Sequence, residues 1–132
     1  MKMLRKFTLN NGLKLLFFPM KNTEAATILF LARAGSKYET KELNGISHLL
    51  EHLLFRGTRK WPKPTSIPQE LDQIGGFYNA FTDKEILGIV VKVGTENFSL
   101  ATDILVDMVT NPLFKEDGIA KEKKVVVEEI NM

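Results

Sequence analysis

The chain opens with two short apolar runs, Lys6 to Asn10 and Leu13 to Pro19, parted by Asn11-Gly12. Both parting residues tolerate positive φ, so the pattern predicts a β-hairpin. Ala25 to Ala34 is continuous in Ala, Ile, Leu and Phe around one Thr, which predicts a buried third strand ending at Gly35. After a polar loop, Ile46, Leu49, Leu50, Leu53 and Leu54 recur at helical spacing, with Asn44 or Ser47 as the expected cap and Gly57 as the stop. Trp61-Pro62-Lys63-Pro64 reads as a turn. Ser66 to Ile74 reads as a short helix, with Pro68 just inside its start and Gly75-Gly76 at its end. Phe77 to Thr82 and Glu85 to Val93 form a second predicted hairpin about a Thr-Asp-Lys turn. Phe98, Ala101, Ile104, Leu105, Met108 and Val109 mark an amphipathic helix from Thr95 to Thr110, stopped by Asn111-Pro112. Lys115 to Ile130 is the last predicted helix. The expected fold class is therefore α+β: two layers, a mainly antiparallel sheet built from the two hairpins and the third strand, and helices packed mostly on one face.

Composition narrows the class. At 132 residues, with 44% hydrophobic and 26% charged residues, the chain has the make-up of one soluble globular domain at most. A formal net charge of +2, with neither sign gathered into a block, gives no reason to expect nucleic acid or an anionic membrane as partner. There is no cysteine, so disulfides, thiol nucleophiles and thiolate metal sites are excluded, and a metal would have to be held by His, Asp or Glu. The positive start at Met1 to Lys6 is followed by Asn10-Asn11-Gly12 and Lys14, which interrupt the apolar stretch a secretory signal needs. No signal peptide or membrane span is expected, and a cytoplasmic location follows by default.

The chemistry lies in the first predicted helix. At about 100° per residue, His48, Glu51 and His52 share one face, so two imidazoles can hold one ion while Glu51 stands beside it without ligating it. That is where a general base belongs. Two His one turn apart are often ordinary surface residues. Here they are the only His in the chain, a Glu lies between them on their own face, and Leu49, Leu50, Leu53 and Leu54 flank them, which points to a dry, polar pocket. A catalytic zinc site uses three protein ligands and keeps one position open, so a distant carboxylate is expected. On the last helix Val125, Val126 and Glu129 all fall within about 60° of Glu122, whereas Glu128 lies with Lys121 and Lys124. Two carboxylates on a buried edge need a cation or a neutral state, since an unpaired buried charge is costly, and zinc would supply that cation. Glu129 is the expected third ligand and Glu122 a partner behind the ligands or a proton acceptor. Otherwise Glu122 is a first-turn carboxylate favoured by the helix dipole and Glu129 a rim residue paired with a lysine.

His48-Leu49-Leu50-Glu51-His52, with a Glu 77 positions after the second His, resembles the inverted zinc motif of the pitrilysin, insulysin and mitochondrial processing peptidase family. The likeness extends through Gly45-Ile46-Ser47, Phe55-Arg56-Gly57-Thr58, the segment from Gly75 to Thr82, and Val127-Glu128-Glu129-Ile130. The resemblance implies a zinc endopeptidase acting on extended peptides: His48, His52 and Glu129 as ligands to Zn²⁺, Glu51 as the base that activates water, and Glu122 as a second catalytic carboxylate. It also implies that Asn79, Ala80 and Phe81 form a strand edge receiving the substrate by backbone pairing. Phe55 would wall the pocket for a residue beside the cut bond. The plain readings are an ordinary strand and a core aromatic.

Two departures stand out. Ile86-Leu87-Gly88-Ile89 stands where relatives often carry more Thr and Tyr, which puts some substrate contacts in doubt. Relatives also have a fuller first domain and a homologous partner domain, and their Arg and Tyr that assist substrate binding come from later chain; Tyr38 and Tyr78 do not match them. Residues 1–132 are accordingly expected to be the N-terminal portion of a catalytic domain, inactive alone, completed by the remaining chain or a homologous subunit, with open edges that invite self-association. The alternatives are a non-catalytic scaffold or partner subunit of the same fold, whose motif is usually incomplete, and a purely structural zinc site, which a Glu at the base position argues against.

Overall fold

The computed structural model describes residues 4–131, so Met1 to Met3 of the signal-like start lie outside the described residues. Arg5–Thr8 (β1) and Lys14–Phe17 (β2) pair antiparallel. The loop is three residues long, not two. Gly12 alone takes positive φ, at 85°, and Leu9 and Leu13 close the turn while Asn11 Oδ1 accepts from the Leu13 N–H at 3.1 Å.

The predicted single sheet is two. β1 and β2 form a ribbon of their own, and Ala25–Ala32 (β3), Phe77–Thr82 (β4) and Leu87–Gly94 (β5) form a second sheet in the order β3-β5-β4, all antiparallel. β5 is central because Leu87, Ile89, Val91 and Val93 present one unbroken apolar face. β3 was expected to be buried. It is an edge strand instead: Ile28 and Phe30 pack inward, while Leu29 and Leu31 on the alternate face stand about half exposed. The uninterrupted apolar run carried no sign of which face would be left open. On the same outer face Phe81 lies over Gly88, where a Cβ would come within 2.2 Å of its ring.

Four helices follow the expected positions: Ile46–Leu54 (α1), Ser66–Gln73 (α2), Phe98–Thr110 (α3) and Glu116–Ile130 (α4). Leu54 of α1, Ile67 and Leu71 of α2, and Ala101, Ile104, Leu105 and Met108 of α3 close over the inner face of β5 as one core. α4 joins differently. Val126 and the partly buried Ile119 meet Leu49 and Leu53 of α1 in a small separate cluster. Val125, expected on the same inward face, is 39% exposed. Among the described residues no helix is long and apolar enough to cross a membrane.

The loop leaving α1 is pinned by a buried polar knot. Asp107 near the end of α3 accepts from the Lys60 N–H and from Asn111 Nδ2, both at 2.9 Å, and from the hydroxyl of the fully buried Thr58. Burial pushes the Asp107 carboxyl up, but these donors and nearby Lys60 outweigh it and hold it below the ordinary value of 3.8. A depressed folded pKa stabilises above the unfolded value and is lost as pH falls through the folded one. Asp107→Asn should therefore cost about 1–3 kcal/mol near pH 7, with the gap to wild type closing below pH 3.8, measured by urea unfolding of the full-length protein across pH.

Candidate metal centre

α1 begins at Gly45, whose φ of 87° turns the chain into the helix. Neither Asn44 nor Ser47 caps it with a side chain. Glu39 reaches across from the preceding loop, and its two oxygens accept from the N–H groups of Gly45 at 2.8 Å and Ser47 at 2.9 Å. Burial raises the Glu39 carboxyl, and the bonds from Ser47 and Gly45 more than offset it, leaving the group below its ordinary value. A carboxylate on the positive end of the motif helix is favoured by both the free N–H groups and the dipole.

One turn inside that end, His48 Nε2 and His52 Nε2 lie 3.2 Å apart. Glu129 Oε2, from α4, is 3.2 Å from the first and 3.6 Å from the second. Three donors around a tetrahedral zinc with bonds of about 2.0–2.1 Å would be separated by about 3.3 Å, so the triangle fits such an ion. Among the described residues this is the one grouping of three such side chains. Glu128, one residue earlier, is exposed and outside it.

The two carboxylates expected on a buried edge have separate places. Glu122 is buried, its side chain 5% exposed: Oε2 lies 3.0 Å from His52 Nδ1, and Oε1 lies 2.7 Å from Arg56 Nη2. A carboxylate acceptor assigns the proton of His52 to Nδ1 and leaves Nε2 with its lone pair toward the triangle. Glu129 is 39% exposed and the two His side chains 34% and 21%. The centre is thus open to solvent on one side, and the dry pocket expected from the flanking leucines is wrong: those leucines face α4 and the sheet.

Glu51 stays out of the triangle and turns toward β4, where Thr82 Oγ1 donates to Glu51 Oε2 at 2.6 Å. Two hollows meet at Glu51 and Ala80. One, of about 240 Å³, is lined by Glu51, His52, Phe55, Tyr78, Asn79 and Ala80. The other lies toward the start of α1, with His48, Glu39, Phe81 and Thr82 in its wall. The structure therefore brings Phe55, Asn79 and Ala80 beside the motif, while Phe81 borders the second hollow from the outer face. β4 pairs with β5 on one side only, leaving its other backbone edge without a strand among the described residues. Glu39, Arg56, Tyr78 and Thr82 escaped the sequence reading. For Tyr78 and Thr82 the clue was available in the alternation of β4, which puts both on the face of Ala80.

A helix-borne His pair closed by a Glu from a second helix, with an uncommitted carboxylate alongside, is the layout of a metallopeptidase centre. The chain belongs to the insulinase family of peptidases, peptidase family M16, whose family model matches residues 18–132. It is 39% identical over 130 residues to the uncharacterized zinc protease YmxG of Bacillus subtilis, covering 98% of this chain and 32% of that protein. It is 38% identical over 122 residues to the mitochondrial-processing peptidase subunit beta of Dictyostelium discoideum, covering 92% of this chain and 26% of that one. A crystal structure of a protease from Helicobacter pylori superposes with a TM-score of 0.92 at 29% identity, over 98% of this chain and 31% of its own. The chain thus spans no more than about a third of the length of these relatives.

Proposed function

We propose that the protein of which these residues form the N-terminal catalytic portion is a zinc endopeptidase, and the observation that carries this is the donor triangle with Glu51 held beside it. Zinc held by His48, His52 and Glu129 would supply a Lewis acid that polarises the scissile carbonyl and acidifies water. Glu51 takes a proton from that water and passes it to the leaving amine. Thr82 occupies one oxygen of Glu51, so the other is left for the water. An extended peptide lies along the open edge of β4, paired through the backbone of Asn79, Ala80 and Phe81, with a side chain in the hollow walled by Phe55 and Tyr78. The relatives' names, zinc protease and processing peptidase, support this class. Because this chain covers only 32% and 26% of those relatives, the groups completing the reaction are assigned to further chain or to a partner subunit, and residues 1–132 alone are inactive.

The test uses the full-length protein. A chelator such as 1,10-phenanthroline should remove one zinc per site and abolish cleavage of a quenched peptide, with both restored by stoichiometric Zn²⁺; cleavage that persists in the metal-free protein would overturn the reading. Thr82→Val should lower kcat about ten-fold with KM unchanged, since one hydrogen bond to a charged group is lost away from the substrate. Steady-state kinetics on the same peptide checks it.

A further inference from the structure

Arg56 lies two residues past the end of α1, after Phe55, and makes no ion pair with the three donors of the triangle. Its guanidinium is nonetheless the one Lys or Arg group within 4 Å of the buried Glu122 carboxylate among the described residues. The two oxygens of Glu122 are divided, Oε1 to Arg56 and Oε2 to His52 Nδ1.

Resting on the zinc reading above, we propose that Arg56 is a positioning residue for the metal centre: it holds Glu122 against His52 Nδ1 and away from the ligand position that Glu129 fills. Glu122 and Glu129 lie two turns apart on one face of α4, and both reach the imidazole of His52. Helical geometry alone therefore gives either carboxylate a claim on the ion. Arg56 breaks that tie. A buried carboxylate without a cation is costly, and without Arg56 the closest cation to satisfy Glu122 would be the metal itself. With Arg56 in place Glu122 is satisfied with or without the ion, His52 is oriented in advance, and the free Nε2 faces the triangle. The loop bearing Arg56 is in turn fixed by buried Thr58 and Asp107, so the guanidinium approaches from a set direction. Its planar fork suits a carboxylate edge better than an ammonium does.

The test is zinc affinity, read by competition with a chelator of known affinity in the full-length protein, for Arg56→Gln, Arg56→Lys, Glu122→Gln and the double variant Arg56→Gln/Glu122→Gln. Arg56→Gln should weaken zinc about ten- to a hundred-fold, the range for losing an outer partner of a ligand. Arg56→Lys should recover part of it. In the Glu122→Gln background the same Arg56→Gln change should cost nothing further, because the two act as one unit. Zinc affinity of Arg56→Gln within about two-fold of wild type, or an equal loss in both backgrounds, would overturn the proposal. Wild type and Glu128→Gln holding zinc while Glu129→Gln releases it would keep the zinc reading standing even if Arg56 fails. A wild type that binds no zinc would overturn both.

Discussion

Glu51→Gln in the full-length protein should retain zinc at the wild-type stoichiometry while hydrolysis of a quenched peptide falls by about 10²–10⁴, the usual contribution of a general base. The separation of the two readouts follows from geometry. Glu51 contributes no atom to the triangle of His48, His52 and Glu129, and its Oε2 is bonded to Thr82. Gln keeps the shape and can still accept from Thr82, but it cannot take a proton from water at neutral pH. Zinc analysis beside the rate separates loss of the base from loss of the metal, and an unchanged rate in Glu51→Gln would show that the carboxylate beside the motif is not the base.

Glu129→Gln and Glu128→Gln form the second pair. The first removes the only anionic donor from the triangle, and a neutral amide in place of a carboxylate should leave zinc bound too weakly to survive dialysis, with cleavage lost alongside. The second alters an exposed side chain outside the grouping and should change neither. Bound zinc in the dialysed protein is the measurement. Equal retention in the two variants would mean that the third donor comes from elsewhere.

On α4 the separation of Glu129 from Glu128 was legible because helical spacing is local and the angular count needs no tertiary information, though the same count put Val125 inward where it stands exposed. The His-Glu-His face of α1 was legible for the same reason. What sequence could not provide were the groups that meet these helices from outside. Glu39 caps α1 from nine residues before the first His, displacing the expected caps because Gly45 bends the chain between them. Thr82 reaches Glu51 through the packing of β4 on α1, and Arg56 reaches Glu122 across 66 positions of chain (122 − 56). The hairpin was legible too, but not that it forms a ribbon apart from the main sheet, since β1 and β2 share the apolar alternation of any sheet strand. β3 misled because its continuous apolar run looked the same as that of a strand covered on both sides.

The small contact between α1 and α4 bears on energetics. α4 is held by Val126 and Ile119 against Leu49 and Leu53, by the Glu122 contacts, and by Glu129 beside the two imidazoles. With zinc bound as proposed, docking of α4 and affinity for the ion become a single linked equilibrium. An ion at a thousand times its Kd would contribute about 4 kcal/mol to keeping that helix in place, more than one buried valine can. On that reading α4 is fastened chiefly by the bound ion, and a conservative change such as Val126→Ala, which removes no ligand atom, would register as weakened metal binding before it registered as unfolding.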